Sequence, residues 1–275
     1  MKRFVSVWLP GWPIERMRRA RPADMPANRP LALVHAGASG LLISAVNASA
    51  RAAGLTTGLA LADARAMFPD LTTLPAEPVR DAQNLVGLAH WCARYGPALN
   101  IEAADNPGGA SSAMRGPGIP AEAGTHGLWI DITGVAHLFG GEAALLGDLT
   151  GRLARFGITA RSGLADTAAA AFALARYRAS RTHPFAIAAA GETRAALVDL
   201  PVAGLRLAPA MIALLHRLGL KRIGQLYDLP RSAMARRLRL AAKADPAEIT
   251  GFSLMRQPAR SPSFCIEVCA SPQRR

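Results

Sequence analysis

The sequence predicts a mixed fold of strands and helices, of the α/β or α+β class. Short, mainly apolar runs occupy residues 4–9, 31–35 and 41–46, which is typical of strands. Residues 79–95 instead repeat their apolar side chains at helical spacing, which predicts a long amphipathic helix. Of the 275 residues, 51% are hydrophobic and 19% are charged, a composition that supports a packed core.

The first part of the chain alternates between the two kinds of element. In chain order, strands are predicted at residues 4–9, 31–35 and 41–46, followed by helices at residues 48–53, 60–68 and 79–95. Gly54 directly follows the first helix, where a glycine commonly ends a helix in the left-handed conformation. Pro69 ends the second helix, because proline cannot continue the hydrogen-bond ladder.

The second part contains further strands and shorter helices. Strands are predicted at residues 99–103, 128–132 and 158–164, and helices at residues 142–156, 167–177, 209–218, 225–229 and 232–240. Residues 105–127 are rich in Gly, Pro and Ala, and predict a flexible insertion at the tip of a hairpin. Residues 241–275 contain four prolines and little periodicity, so we expect an irregular tail.

The net charge is +13, from 32 Lys and Arg against 19 Asp and Glu. This surplus favours a polyanionic partner, although a codon bias toward Arg and Ala explains it equally well. No run reaches the roughly 20 apolar residues of a membrane span, and we expect a cytoplasmic protein without a membrane partner. Cys92, Cys265 and Cys269 contain no CxxC pair, so neither a disulfide framework nor a zinc site is predicted.

Three segments carry a resemblance to a known family. ISAVNASARAAGL at residues 43–55, running on through GLALADARAMFP at residues 58–69, is similar to the fingers of Y-family (UmuC/DinB-like, translesion) DNA polymerases. GLWIDITG at residues 127–134, with HLFGGE at residues 137–142, is similar to their central palm hairpin. Residues 215–229 are similar to the helix-hairpin-helix of their thumb. The chain thus resembles this family over residues 4–240, and most of all its catalytically degenerate ImuB branch.

The resemblance implies a polymerase-like architecture. We expect a palm built on a ferredoxin-like sheet with helices, small fingers, a helical thumb and no little finger, so that the chain is C-terminally truncated. The implied divisions are palm at residues 1–12 and 74–180, including the insertion at 105–127, fingers at 13–73, thumb at 181–240 and tail at 241–275.

The carboxylates of the polymerase site are missing. The resemblance implies acids at the tip of the first strand, where residues 8–10 are WLP, and before the GLWIDITG strand, where residues 125–127 are THG. Such acids hold the two metal ions of phosphoryl transfer. Asp131 matches a different position of the family pattern. We therefore expect no catalytic residue, no metal site and no cofactor, with Mg²⁺ implied only for an active polymerase.

The nucleotide-binding side is also altered. Ala48 stands where the family has a Tyr, whereas Arg51 matches the family's Arg and is a nucleotide-binding remnant by resemblance. A structural role for Arg51, such as pairing with Asp63, is favoured because its partners at the site are lost. Asp166 lies where the family usually has lysines, and its charge would repel phosphate.

The thumb keeps its basic character. Gly219 predicts a left-handed turn between helices, after which free backbone N–H groups would form a seat for phosphate. The expected DNA-binding residues are Gly219, Lys221, Arg222, Ile223, Gly224, Arg236 and Arg237. Such contacts bind the backbone without reading bases. The alternative is a plain helical turn with two solvated charges.

The favoured hypothesis is a non-catalytic DNA-binding adaptor in DNA repair, SOS-induced translesion synthesis and mutagenesis. It would bind primer-template DNA independently of sequence. The resemblance also implies three protein partners: an error-prone C-family polymerase, a RecA-like accessory protein and a sliding clamp. The family's partner-binding tail is absent from this sequence, which counts against clamp binding.

Other hypotheses stay open. The chain is an active error-prone polymerase if non-standard acids such as Glu102, Asp105 or Asp131 hold the metals. It is otherwise a truncated, non-functional fragment, or an unrelated α/β enzyme with a small-molecule pocket. The missing acids favour a protein that is not an enzyme.

Overall fold

The computed structural model describes residues 2–25, 29–37, 40–102, 126–207 and 209–227. The strands are β1 (Phe4–Trp8), β2 (Leu31–Gly37), β3 (Gly40–Val46), β4 (Thr72–Pro75), β5 (Ala98–Glu102), β6 (Gly127–Asp131), β7 (Arg161–Ala165) and β8 (Phe185–Ile187). The α-helices are α1 (Trp12–Ala20), α2 (Ala48–Ala52), α3 (Leu61–Met67), α4 (Pro78–Cys92), α5 (Glu142–Arg155), α6 (Ala168–Tyr177), α7 (Thr193–Leu197) and α8 (Pro209–Arg217). Short 3-10 segments lie at Pro22–Asp24, Ala93–Tyr95, Ala136–Phe139, Val202–Leu205 and Ile223–Leu226.

The larger sheet has five strands in the order β5-β6-β1-β7-β8. β1 is central and antiparallel to both β6 and β7, while β8 runs parallel to β7. Successive residues of β1 point to opposite faces. Val5 and Val7 lie in the main core with Leu128 and Ile130, against α4 and α5. Phe4 packs instead in the second layer, which is built on α6.

The smaller sheet has three strands in the order β3-β2-β4. β2 and β3 form an antiparallel pair, and β4 runs parallel to β2. A separate core fills this part of the chain, formed around Ile43, Leu55, Leu61 and Leu71. Asn47 follows β3 and caps α2, because its side-chain oxygen accepts a hydrogen bond from Ala50 N at 2.8 Å.

The mixed α and β fold confirms the predicted class, and most predicted elements are present. β5 and β6 are antiparallel neighbours, as expected for hairpin partners. The predicted strand at residues 158–164 was placed too early, since β7 begins at Arg161. The helix predicted at residues 225–229 is instead the 3-10 segment Ile223–Leu226.

Four elements were missed by the sequence analysis: α1, β4, α7 and β8. β4 and β8 have only four and three residues, too few for a recognisable alternation.

Three predicted segments lie wholly or mainly outside the described residues. The insertion at residues 105–127 does so except for its last two positions, and the helix at 232–240 and the tail at 241–275 do so entirely. The division into palm, fingers and thumb stays a prediction. Within the described ranges, no helix combines the length and apolar character needed to cross a membrane.

Candidate functional site

The end of β1 brings together the two places where acids were expected. Trp8 is the register partner of Gly127 on β6 and of Arg161 on β7. The guanidinium carbon of Arg161 lies 5.1 Å from the centroid of the Trp8 ring, and that of Arg176 on α6 lies 5.5 Å from it. Two cations therefore flank the strand end at which the family resemblance implies carboxylates.

These contacts belong to a larger group of alternating guanidinium and aromatic groups, which we call the arginine–aromatic cluster. Arg176 lies 3.8 Å from the ring centroid of Phe172. Arg206 lies 4.9 Å from the same ring and 5.5 Å from that of Trp129. Trp129 and Phe172 stack with ring centroids 6.1 Å apart. The members of the cluster are Trp8, Trp129, Arg161, Phe172, Arg176 and Arg206.

Burial and mutual repulsion shape the electrostatics of the cluster. The Arg176 side chain is 2% exposed, and its Nη2 donates to Oε2 of Glu102 at 2.7 Å. Burial lowers the pKa of Arg176, Glu102 opposes this shift, and the charge of Arg206 adds to it. Burial also lowers the pKa of Arg161, and the charge of Arg51 lowers it further. Arginine stays protonated in proteins, so positive charge is concentrated here.

The residues at this strand end do not fit a two-metal site. Trp8 has no ligating atom, Gly127 has no side chain, and the carboxylate of Glu102 is engaged by Arg176. Nearby guanidinium groups would repel a divalent cation. Across the described part of the chain, no group of three or more His, Cys, Asp or Glu side chains is placed to hold a metal ion.

The other acids named for a non-standard polymerase site lie elsewhere. Asp131 is at the far end of β6, opposite Phe4 and Ala98, and its Oδ1 accepts a hydrogen bond from Thr133 N at 2.9 Å. It lies four residue steps from Gly127, which is about 13 Å along a strand. Asp105 lies outside the described residues. Only Glu102, already paired with Arg176, lies at the same sheet edge as Trp8.

Asp166 has a structural role that the sequence did not show. Its Oδ1 accepts from Arg3 Nη1 at 2.7 Å, and its Oδ2 accepts from Gly191 N and the Thr193 hydroxyl at 3.0 and 2.8 Å. Arg3 also pairs with Glu142 at 2.6 Å. Asp166 is therefore not an isolated negative charge, since Arg3 matches it. The network joins β1, α5 and the end of β7.

Arg51 lies on α2, and its side chain is exposed. Its charge lowers the pKa of Arg161, a member of the arginine–aromatic cluster. Its role as a nucleotide-binding remnant stays a prediction.

The thumb turn is formed as predicted at Gly219, whose φ is +78°. The predicted seat of free N–H groups is wrong, because the fold uses all four of them. Lys221 N and Arg222 N both donate to Oε1 of Gln225, at 2.8 and 2.9 Å. Ile223 N and Gly224 N donate to backbone carbonyls of Leu200 and Val198.

Two side chains of the predicted thumb turn are exposed. Lys221 is exposed, and Arg222 pairs at 3.0 Å with Asp199 in an exposed ion pair. Ile223 is buried and packs with α6. Arg236 and Arg237 lie outside the described residues. DNA binding by the predicted thumb residues stays a prediction.

Comparison with known proteins agrees with this architecture. No protein-family model matches the chain. Protein ImuB of Caulobacter vibrioides is 46% identical over 189 residues, which are 69% of this chain and 36% of that protein. DinB from Sulfolobus solfataricus superposes with a TM-score of 0.65 at 13% identity, covering 93% of this chain and 68% of that one. A Y-family DNA polymerase chimera of Dbh and Dpo4 gives a TM-score of 0.59 at 14% identity, covering 88% and 67%.

The chain is ImuB-like and has the Y-family polymerase fold. The resemblance stated from the sequence is thereby confirmed. The ImuB-like chain spans 36% of the length of the ImuB proteins that it matches, so the activity and partners of a whole protein are matters for proposal.

Proposed function

We propose that this ImuB-like chain is a DNA-binding protein without polymerase activity, which acts as an adaptor in DNA repair and SOS-induced translesion synthesis. One observation carries the proposal: Trp8 and Gly127 lie side by side at the end of β1, with Arg161 and Arg176 against the Trp8 ring. The position that needs carboxylates for catalysis holds cations and an aromatic ring instead.

The chemistry of phosphoryl transfer explains why this arrangement supports binding without reaction. A polymerase positions metal ions on carboxylates, and the metals stabilise both the attacking and the leaving oxygen. Guanidinium groups bind phosphate strongly, but they cannot take a proton from an attacking hydroxyl. A surface of this kind retains affinity for nucleic acid after the reaction has been lost.

Binding to DNA is supported by charge. The chain has a net charge of +13, and the exposed side chains of Lys221 and Arg222 lie at the thumb turn. Cations of this kind contact phosphates and not bases, so binding would be independent of sequence. By resemblance, the proposed protein partners are an error-prone C-family polymerase, a RecA-like accessory protein and a sliding clamp.

Two assays on the full chain test the proposal. Primer extension with Mg²⁺ or Mn²⁺ should give no incorporation. Fluorescence anisotropy with primer-template DNA should give an affinity that falls steeply between about 50 and about 200 mM salt. The double variant Lys221→Ala, Arg222→Ala should lower the affinity and flatten the salt dependence. The variant Arg80→Ala, Arg155→Ala removes the same charge elsewhere and is the matched control.

The outcomes separate the alternatives. Incorporation that disappears in Asp131→Asn would show an active polymerase and would overturn the non-catalytic part. An absence of DNA binding at about 50 mM salt would overturn the DNA-binding part. A salt dependence that is equal in the thumb variant and the control would remove the thumb from the interface.

A further inference from the structure

A row of four aromatic side chains crosses the helical layer formed by α4 and α5. Phe156 and Trp91 lie edge to face, with ring centroids 5.1 Å apart. Tyr95 continues the row, 5.9 Å from Trp91 and 5.3 Å from Phe139. Tyr95 is buried, whereas Trp91 is half-buried and Phe156 is 40% exposed. The row therefore runs from the main core to the surface, and its outer end offers rigid apolar area to a partner.

Two guanidinium groups frame the exposed end of this row. Arg94 lies 4.4 Å from the centroid of the Trp91 ring, and Arg19 of α1 lies 5.9 Å from that of Phe156. Both arginines are exposed, and neither forms an ion pair with a described acid. Arg94 Nε donates to Trp91 O at 3.0 Å, which orients the guanidinium group and leaves its terminal nitrogens for another acceptor. We call Arg19, Trp91, Arg94 and Phe156 the Trp91 patch.

The charge beside the patch is positive. α5 adds Arg152 and Arg155, and the charges of both act on Asp148. Asp148 is already engaged, because its carboxylate accepts from Arg152 Nε at 2.8 Å and from the Tyr95 hydroxyl at 2.8 Å. Of the four arginines on this surface, only Arg152 forms an ion pair within the described residues. Such a surface attracts the carboxylates of a partner.

Gly87 in α4 keeps the patch open. It lies one turn before Trp91 on the same face of the helix, and helical side chains lean toward the preceding turn. A Cβ atom at Gly87 would meet no described atom within 4 Å. Glycine inside a helix is less stable than alanine, and packing within the described residues gives no reason for it here. The lack of a side chain at this position instead leaves the surface beside Trp91 uncovered.

We propose that the Trp91 patch binds an acidic segment of a partner protein that carries at least one aromatic or long aliphatic side chain. Trp, Phe and Arg are enriched in protein–protein interfaces, and Trp and Arg supply much of their binding energy. A carboxylate of the segment would pair with Arg94 or Arg19, and its apolar side chain would cover Phe156. The phosphates of duplex DNA would match the charge but would leave the ring in water, so an acidic peptide fits the patch better.

This inference rests on the adaptor part of the proposed function, and it adds the surface and the chemistry by which a protein partner is recognised. The patch lies on α4 and α5, which cover one face of the larger sheet, whereas α6 covers the other. The predicted thumb turn packs on the α6 side, where Ile223 is buried. A partner at the Trp91 patch would therefore leave the predicted DNA-binding side free.

Selection from a phage-displayed library of random short peptides tests the patch with the full chain. Peptides that bind the wild type are counter-selected against the double variant Trp91→Ala, Arg94→Gln. We expect the surviving peptides to combine Asp or Glu with Trp, Phe or Leu. A synthetic copy of the most enriched peptide is then titrated by fluorescence polarisation, and its affinity should fall as salt is added.

Single variants assign the binding to the patch. Trp91→Ala and Arg94→Gln should each weaken the synthetic peptide by about tenfold or more, as for residues at the centre of an interface. Arg194→Gln is the matched control. Arg194 is also exposed and lies 4.1 Å from the centroid of an aromatic ring, that of Tyr227, but it is outside the patch. This variant should bind like the wild type.

Gly87→Glu separates a loss of binding from misfolding. The added side chain covers the surface beside Trp91 and repels an acidic peptide, so the affinity should fall by about tenfold or more. The variant should be at least as stable as the wild type in thermal unfolding, since glutamate forms helices better than glycine. Ala82→Glu adds the same charge at an exposed position on the opposite side of α4 from Trp91, and it should bind like the wild type.

Several results would overturn the inference. No peptide survives the counter-selection, the surviving peptides lack acidic residues, or the variants at Trp91, Arg94 and Gly87 bind the selected peptide like the wild type. Competition by an oligothymidylate at the patch would assign it to nucleic acid instead. Self-association of the chain that is lost in Trp91→Ala would assign it to a second copy.

Failure of the patch is distinct from failure of the proposed function. A chain that binds primer-template DNA without incorporation, and has no peptide that depends on the patch, would keep the proposed function and remove the patch. A chain that extends primers, and still binds the acidic peptide through Trp91, would keep the patch and overturn the non-catalytic part.

Discussion

Arg176 and Glu102 form a buried ion pair, with Nη2 and Oε2 2.7 Å apart and the arginine side chain 2% exposed. The pair joins α6 to the end of β5, and it holds Arg176 against the rings of Trp8 and Phe172. A cation this deeply buried is tolerated only when a carboxylate accompanies it. Glu102 therefore stabilises the arginine–aromatic cluster by compensating the buried charge of Arg176.

Glu102→Gln should destabilise the protein by about 3–5 kcal/mol, because it leaves the Arg176 charge buried without compensation. Urea unfolding at neutral pH measures the loss. Asp199→Asn is the matched control, since Asp199 pairs with Arg222 at 3.0 Å but both side chains are more than 60% exposed. That change should cost no more than about 1 kcal/mol. Equal losses in the two variants would contradict a special role for the buried pair.

The ion pair between Arg3 and Asp166 should make stability depend on pH. Burial raises the pKa of Asp166, but hydrogen bonds from Thr193 and Arg3 outweigh it, so the pKa lies below its ordinary value. The stabilisation is fully present above the unfolded pKa of about 3.9, and it is lost as the pH falls through the lower folded pKa. Asp166→Asn should therefore be less stable than the wild type at neutral pH, and the difference should shrink in acid.

Urea midpoints from neutral pH downward measure this effect. In a background that carries Arg3→Gln, the stability lost through Asp166→Asn should be smaller, because the guanidinium group that lowers the pKa of Asp166 is gone. A difference that is constant across the acid range would contradict the assignment.

Gly163 on β7 lies directly against the backbone of α6. A Cβ atom there would collide with the carbonyl oxygen of Ala171 and lie 2.5 Å from Ala175 N. Gly163→Ala should cost about 2–3 kcal/mol, because α6 must move away from the sheet. Gly151→Ala is the control, since Gly151 lies inside α5 and a Cβ there meets nothing within 4 Å. It should stabilise the protein by about 0.5–1 kcal/mol. Thermal unfolding that ranks the two variants in the other order would disprove the close contact.

The left-handed backbone of Arg206 predicts that two small replacements differ in stability. Arg206→Gly and Arg206→Ala both remove the guanidinium group from Phe172 and Trp129. Only glycine relieves the strain, so Arg206→Gly should be more stable than Arg206→Ala by about 1 kcal/mol. Thermal unfolding of the pair measures the difference. Equal stability would show that the positive φ of +56° does not persist in solution.

Local patterns predicted much of the fold correctly. Short apolar runs indicated β1 and β6, and Gly54 and Gly219 marked a helix end and a left-handed turn. The sequence analysis missed β4 and β8 because these short strands gain their stability from neighbouring strands and not from their own sequence. The prediction of free N–H groups at the thumb turn was wrong for a related reason. The Gln225 side chain and the carbonyls of Leu200 and Val198, which are distant or unrecognised in the sequence pattern, accept hydrogen bonds from them.

The sequence by itself determined which residues stand where the family resemblance implies acids, because the identity of Trp8 and Gly127 needs no coordinates. It also determined the mixed fold, through periodicities that the chain carries locally. Only the tertiary structure decided what surrounds these two residues. Arg161 and Arg176 come from separate elements, and strand pairing and the packing of α6 on the sheet bring both to the Trp8 ring. Contacts between residues so far apart in the chain depend on topology, so no local sequence pattern predicts them.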